Sequence, residues 1–197
     1  FLERLGKSWR AAIAPPGSQG YTVQDIASST YRAELGVRRP VYLHEATHAI
    51  VAHDLRLLTG NDAHTPLQEG LANYVQLCFF PQSLDAKTYP ANFGKPIDRS
   101  GKGFFKPLET LFTRRATTRD YAQLASVIAY LIDADQPLLR DLAAGVAHGV
   151  SAGDVLRRRG ADWQALEDAW YAWGRARFAG KTQAPDAPPF ERFPEMK

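Results

Sequence analysis

The sequence predicts an α+β fold that is mostly helical, and three observations predict it. Apolar residues recur three or four apart through most of the second half of the chain, the period of amphipathic helices. A stretch over residues 20–33 is rich in Thr, Val, Ile and Tyr, the composition of a strand. Between the two, a helical segment carries the run His44-Glu45-Ala46-Thr47-His48.

The elements follow in order. Residues 1–14 place Leu2, Leu5, Trp9 and Ile13 on one stripe of a helix, which Pro15, Pro16 and Gly17 end. In residues 20–33, Tyr21, Val23 and Asp25 share a face when extended, which predicts the small N-terminal β element. Pro40 opens a helix running to about Leu58, stopped by Thr59-Gly60-Asn61-Asp62, a cluster of turn formers. Thr65 as N-cap, Pro66 in the first helical position and Gln68 three residues after the cap spell a capping box and predict a helix over residues 66–79. Residues 81–106 are dense in Pro, Gly, Asn, Asp and Ser without a sustained period, which predicts a long loop. Helical patterns then occupy residues 108–112, 118–133, 137–148, 152–158 and 162–178. The reading is one domain over residues 1–179, with an N-terminal lobe (1–60), a helical lobe (61–179) and a proline-rich tail over residues 180–197.

Composition narrows the function classes. A chain of 197 residues with 45% apolar residues is long enough for one sizeable core. With 24 basic against 21 acidic residues the net charge is only +3, which does not point to nucleic acid or an anionic membrane. A single cysteine, Cys78, excludes an internal disulfide and a multi-thiolate metal site, and its apolar neighbours place it in the core. No apolar run approaches the ~20 residues that span a bilayer. One free thiol fits cytosol or cell envelope, and a bacterial-type envelope or secreted location is favoured. The chain starts at Phe1 and its only methionine is Met196, so a longer parent product is expected.

The chemistry is concentrated in the His-Glu-x-x-His run. On a helix, His44 and His48 stand one turn apart on the same face, so two imidazole nitrogens converge on one Zn²⁺ at ~2.0–2.1 Å. Glu45 lies about 100° round the helix, beside the metal rather than on it. A catalytic zinc needs a third protein ligand. One arrangement has a glycine three residues past the second histidine and a ligand six past it; Val51 and Asp54 hold those places, and β-branched Val51 does not supply the break. The other candidate is Glu69, on the helix after the next loop, in Leu67-Gln68-Glu69-Gly70-Leu71-Ala72-Asn73-Tyr74. His53 points off the ligand face, His64 reads as a solvated loop residue, and His148 ends a helix.

The pairing of HEATHAI with LQEGLANY resembles the gluzincin metallopeptidases, in particular the minimal bacterial peptidase-MA-like group, strongly over residues 42–76 and in helical layout over residues 107–173. The resemblance implies a zincin-like catalytic domain in which His44, His48 and Glu69 hold zinc and Glu45 is the general base and acid. Asn73, four residues past Glu69, is placed to hydrogen-bond the outer nitrogen of a ligand histidine, where the family more often has an acidic residue. Gly70 and Ala72 are small enough to let that helix approach the histidine helix. Tyr121-Ala122-Gln123 resembles a Y-A-Q segment of the family, which makes Tyr121 the candidate for oxyanion stabilisation, with Tyr130 and His148 as alternatives. The implied substrate is a peptide or protein lying extended along a strand near residues 25–32. No G-x-M-E-N segment of an aminopeptidase occurs, which favours an endopeptidase or processing protease. A deformylase-like hydrolase would use a cysteine ligand, and Cys78 lies outside any such motif. The competing reading is a catalytically silent module that keeps its zinc for binding or structure; oligomeric state stays open.

Overall fold

The computed structural model describes residues 20–23, 26–29, 41–80, 83–94, 96–97 and 101–178. The predicted helix over residues 1–14 and the tail over residues 180–197 lie outside these, as do Asp25 and residues 30–32 of the proposed substrate strand. From residue 41 to residue 178 the described chain holds helices and turns and no strand, so the predicted α+β class is corrected to mostly α. Among the described residues, strand pairing is confined to β1 (Gly20–Val23) and β2 (Ile26–Ser29), which run antiparallel with Gly20 opposite Ser29 and Val23 opposite Ile26. A hairpin of two four-residue strands is not a sheet layer. The composition of residues 20–33 misled because β propensity reports a fit to a pleated, half-buried surface more than a preference of the backbone itself.

Among the described residues, the α-helices whose full extent is described are α1 (Val41–Leu55), α2 (Thr65–Phe79), α3 (Leu84–Tyr89), α4 (Leu108–Phe112), α5 (Tyr121–Ala134), α6 (Gln136–Ala147), α7 (Ala152–Arg158) and α8 (Trp163–Phe178). The chain leaves α1 through Arg56, whose φ of 56° is left-handed, and Gly60 with φ of 84°. His64 organises that connection. The residue is only 5% exposed, and Nδ1 accepts a 2.7 Å hydrogen bond from the Leu58 amide, which corrects the expectation of a solvated histidine. The predicted capping box at α2 does not form either. The N-cap position is His64, without a side-chain cap, and Thr65 Oγ1 donates to the Asn61 carbonyl at 3.1 Å while Gln68 turns inward.

α5 is the hub, with Leu124, Ala125, Val127, Ile128 and Leu131 buried between α2, α6 and α8. Two caps hold the helices that follow: the Asp135 carboxylate accepts from the Leu138 amide at 3.0 Å at the start of α6, and Ser151 Oγ accepts from the Asp154 amide at 3.1 Å at the start of α7. From α8, Trp170 packs on Phe93 and Phe105, and its indole N–H donates to Ser126 Oγ on α5 at 3.1 Å. The predicted loop over residues 81–106 is therefore corrected. It contains α3, a π-helical turn over Pro90–Gly94 and a 3-10 turn over Lys102–Phe104. Tyr89, Phe93 and Ile97, four apart, enter the core, and burying each such side chain is worth about 1.5–3 kcal/mol.

Candidate metal centre

Two turns of α1 and the first turn of α2 build the centre. The His44 and His48 rings lie 4.6 Å apart at 84° to one another, and their Nε2 atoms are 3.0 Å apart. Glu69 Oε2 comes across from α2 to 3.2 Å from His44 Nε2 and 3.7 Å from His48 Nε2. Around a tetrahedral ion with bonds of ~2.0–2.1 Å, ligand atoms sit about 3.3 Å from each other. The three observed separations bracket that value, so one ion at normal bond lengths fits between the three atoms. The three side chains are mostly buried, with 13%, 8% and 17% of their surfaces exposed for His44, His48 and Glu69.

Hydrogen bonding decides which atoms face the centre. Gln68, 3% exposed, donates its amide N–H to the Leu57 carbonyl, which fixes the amide's orientation and aims Oε1 at His48 Nδ1, 2.7 Å away. An amide oxygen can only accept, so Nδ1 carries a proton, and Nε2 is the atom turned toward Glu69 and His44. On the other side, Glu69 Oε2 is buried and meets no donor in hydrogen-bonding geometry among the described residues. Lone pairs converging around an orphaned carboxylate oxygen are a donor set for a cation. Burial pushes the Glu69 carboxyl upward, but the two histidines outweigh this and hold it well below the ordinary carboxylate range. For His48, burial pushes downward, and contact with Glu69, its charge, Gln68 and the charge of Glu45 together raise the imidazole above its ordinary value.

Other sequence candidates take varied places. Glu45 is buried at 8% exposure, close enough for its charge to act on His48 and on Tyr121. Tyr121 opens α5 with its ring stacked on His44, centroids 6.0 Å apart at 30°. Burial first, then the charge and hydrogen bond of Glu69, push its phenol far above the ordinary range, so it stays protonated. Asn73 does not reach a histidine; its amide donates to the Glu69 carbonyl at 2.8 Å. Gly70 serves a different neighbour from the one expected: a Cβ there would meet Ile128 Cγ1 at 2.8 Å and the Leu124 carbonyl oxygen at 3.4 Å, so it lets α2 close onto α5. Val51 lies in the core of an unbroken α1, and Asp54 is exposed with its carboxylate 2.7 Å from His53 Nδ1, outside the cluster. Tyr130 packs on Trp173, and His148 Nδ1 donates to the Ala144 carbonyl at 2.7 Å. Cys78 is buried, which pushes its thiol up to about 12.

Gln68 is the residue that sequence reasoning missed as part of the site. Its position directly before Glu69 was a usable signal, because a polar side chain in the first turn of a buried helix needs a partner. Among the described residues, His44, His48 and Glu69 form a group whose ligand atoms all lie within 4.8 Å of one another. No family model, curated protein or solved structure matches the chain.

Proposed function

We propose that the chain is a zinc-dependent peptidase of the gluzincin type, acting as an endopeptidase or processing protease. The observation that carries the reading is the convergence of His44 Nε2, His48 Nε2 and Glu69 Oε2, with the buried Glu45 one residue from the first ligand. Two imidazoles and one carboxylate suit zinc and leave a fourth position for water or substrate. When bound, zinc supplies a Lewis acid that polarises the scissile carbonyl and makes a water acidic enough to ionise near neutral pH.

The chain's own groups supply the rest. Glu45 takes the proton from the attacking water on its carboxylate and hands it to the nitrogen of the leaving amine. Tyr121, held protonated, donates its phenolic hydrogen to the oxygen that becomes negative in the tetrahedral species. Gln68 keeps His48 in the tautomer whose Nε2 is free to bind. A base beside the ligand histidine favours hydrolysis over a purely structural site, which has no use for it.

The test is Glu45→Gln. The variant retains wild-type zinc content and loses about 10²–10⁴-fold in peptide cleavage. Full cleavage by Glu45→Gln overturns the assigned mechanism. Stoichiometric zinc in a wild type that cleaves nothing in a broad peptide library makes the chain a silent zinc-holding module instead.

A further inference from the structure

Both ends of one peptide unit are held by the start of α2. The Leu57–Leu58 peptide lies in the connection after α1; its carbonyl accepts from the Gln68 amide, and its N–H donates to His64 Nδ1 at 2.7 Å. His64 is the N-cap position of α2 and Gln68 comes four residues later, so the two side chains stand on one face of the helix start. A peptide unit is planar and its C=O and N–H turn together, so whatever fixes the N–H also aims the C=O. Holding the Leu58 N–H therefore holds the Leu57 carbonyl toward Gln68, whose Oε1 faces His48 Nδ1 at 2.7 Å. The path is buried throughout: Leu57 is fully enclosed, and His64 and Gln68 are 5% and 3% exposed.

Three features fit His64 to this task. A backbone N–H can only donate, so Nδ1 is the unprotonated nitrogen of the His64 ring. The ring is flanked on its other side by the Asn61 amide, 3.2 Å from Nε2, and Asn61 is itself tied down: its Oδ1 accepts from the Ala63 amide at 3.0 Å, and its carbonyl accepts from the His64 and Thr65 amides at 3.0 and 3.1 Å. The clamped peptide also follows Arg56, whose φ of 56° is a left-handed conformation that a non-glycine residue keeps only where its surroundings impose it. Without the clamp, relaxation of Arg56 swings the next carbonyl, that of Leu57, off Gln68.

We propose that His64 is a positioning residue of the metal centre: it holds the Leu57–Leu58 peptide so that Gln68 orients His48 for the ion. The proposal rests on the metal-centre reading for the ion itself. Its action on zinc affinity runs through three hydrogen bonds, from the Leu58 amide to His64, from Gln68 to the Leu57 carbonyl and from His48 to Gln68.

The experiment measures zinc affinity by competition with a chromophoric chelator, beside urea unfolding of the metal-free proteins to establish that each variant folds. His64→Asn sets its Oδ1 where Nδ1 stands and keeps an acceptor for the Leu58 N–H, His64→Gln carries its polar atoms one bond further, and His64→Leu carries none. Zinc affinity stays close to that of the wild type in His64→Asn and falls about tenfold in His64→Gln and His64→Leu. The discriminating readout is the coupling with Gln68. In a Gln68→Met background, His64→Leu weakens zinc binding no further, because the relay is already cut, whereas a residue that merely stabilises α2 gives additive losses. A second readout needs no metal. In the metal-free protein with isotope-labelled histidine, the His48 Nδ1–H proton signal, identified by its loss in Gln68→Met, persists in the wild type and His64→Asn and is lost to solvent exchange in His64→Gln and His64→Leu. If His64→Leu does not fold, His64→Gln takes its place in each comparison. Wild-type zinc affinity in folded His64→Gln or His64→Leu, additive losses in the double variant, or a His48 Nδ1–H signal that survives in them overturns the proposal. A wild type that binds no zinc defeats the metal centre instead, and the proton signal then decides by itself whether His64 sets His48.

Discussion

Replacing Gln68 with methionine removes both of its hydrogen bonds while keeping a side chain of similar length in a position that is 3% exposed. Two consequences follow from the geometry. His48 Nδ1–H loses the acceptor 2.7 Å away, and the Leu57 carbonyl loses its donor, leaving buried polar groups unmatched at about 1–3 kcal/mol each. The imidazole is also released to rotate or to move its proton to Nε2, the atom that faces the centre. Loss of such a supporting partner typically weakens metal binding by about 10–100-fold, or about 1.4–2.7 kcal/mol. The assay is a zinc titration in competition with a chromophoric chelator, run beside urea unfolding of the metal-free protein so that folding and binding are read separately. Gln68→Glu keeps an acceptor against Nδ1, now charged, and is expected to recover the affinity while still losing the bond to Leu57. Zinc affinity within twofold of wild type in folded Gln68→Met would refute the assignment of Gln68 as the residue that sets His48.

Gly70→Ala gains up to about 1 kcal/mol of helix propensity but places a Cβ 2.8 Å from Ile128 Cγ1, and overpacking of this kind costs about 1–3 kcal/mol. The expected net loss, with weaker zinc binding as α2 shifts off α5, is read by urea unfolding and chelator competition; a stabilised variant contradicts the close approach. Asp120→Asn tests the turn before α5, where Asp120 is paired with Lys106. Burial pushes the Asp120 carboxyl up, but hydrogen bonds from Lys106 and Thr117 and the charge of Lys106 leave it below its ordinary value. The stability it contributes is thus fully present above the unfolded carboxyl value of about 3.9 and is lost as pH falls through the lower folded value. Unfolding free energies of the two proteins are expected to differ by about 1–3 kcal/mol at pH 7, and the gap narrows below about pH 4. A gap that is unchanged at pH 3 rules out the charged pair as its origin.

The helices of the second half were legible because their apolar spacing is local information. α4 and α7 occupy the predicted residues, and α5, α6 and α8 differ only at their ends. Helix spacing also put His44 and His48 on one face, but it left Glu69 only as a candidate for the third position, which the resemblance of its segment, not local geometry, singled out. Where local rules competed with tertiary partners, the partners prevailed. Gln68 fits a capping box by spacing, yet the Leu57 carbonyl and His48 are better partners in a buried site than its own helix terminus. His64 reads as loop by position but satisfies the Leu58 amide. In residues 81–106, the Pro and Gly content hid a helical spacing of Tyr89, Phe93 and Ile97 that only the aromatic cluster around Trp170 makes visible. Gly70 was correctly seen as a contact point, but its partner is α5, because nothing in the sequence ranks one neighbouring helix over another.

Zinc bound per chain, measured by elemental analysis for the wild type and for His44→Ala after equilibration in the same zinc-buffered solution, tests the three-residue centre most directly. The expected result is one zinc per wild-type chain and essentially none in the variant, which has lost one of its three ligand atoms. Equal zinc in the two proteins, or none in the wild type, would contradict a metal centre built from His44, His48 and Glu69.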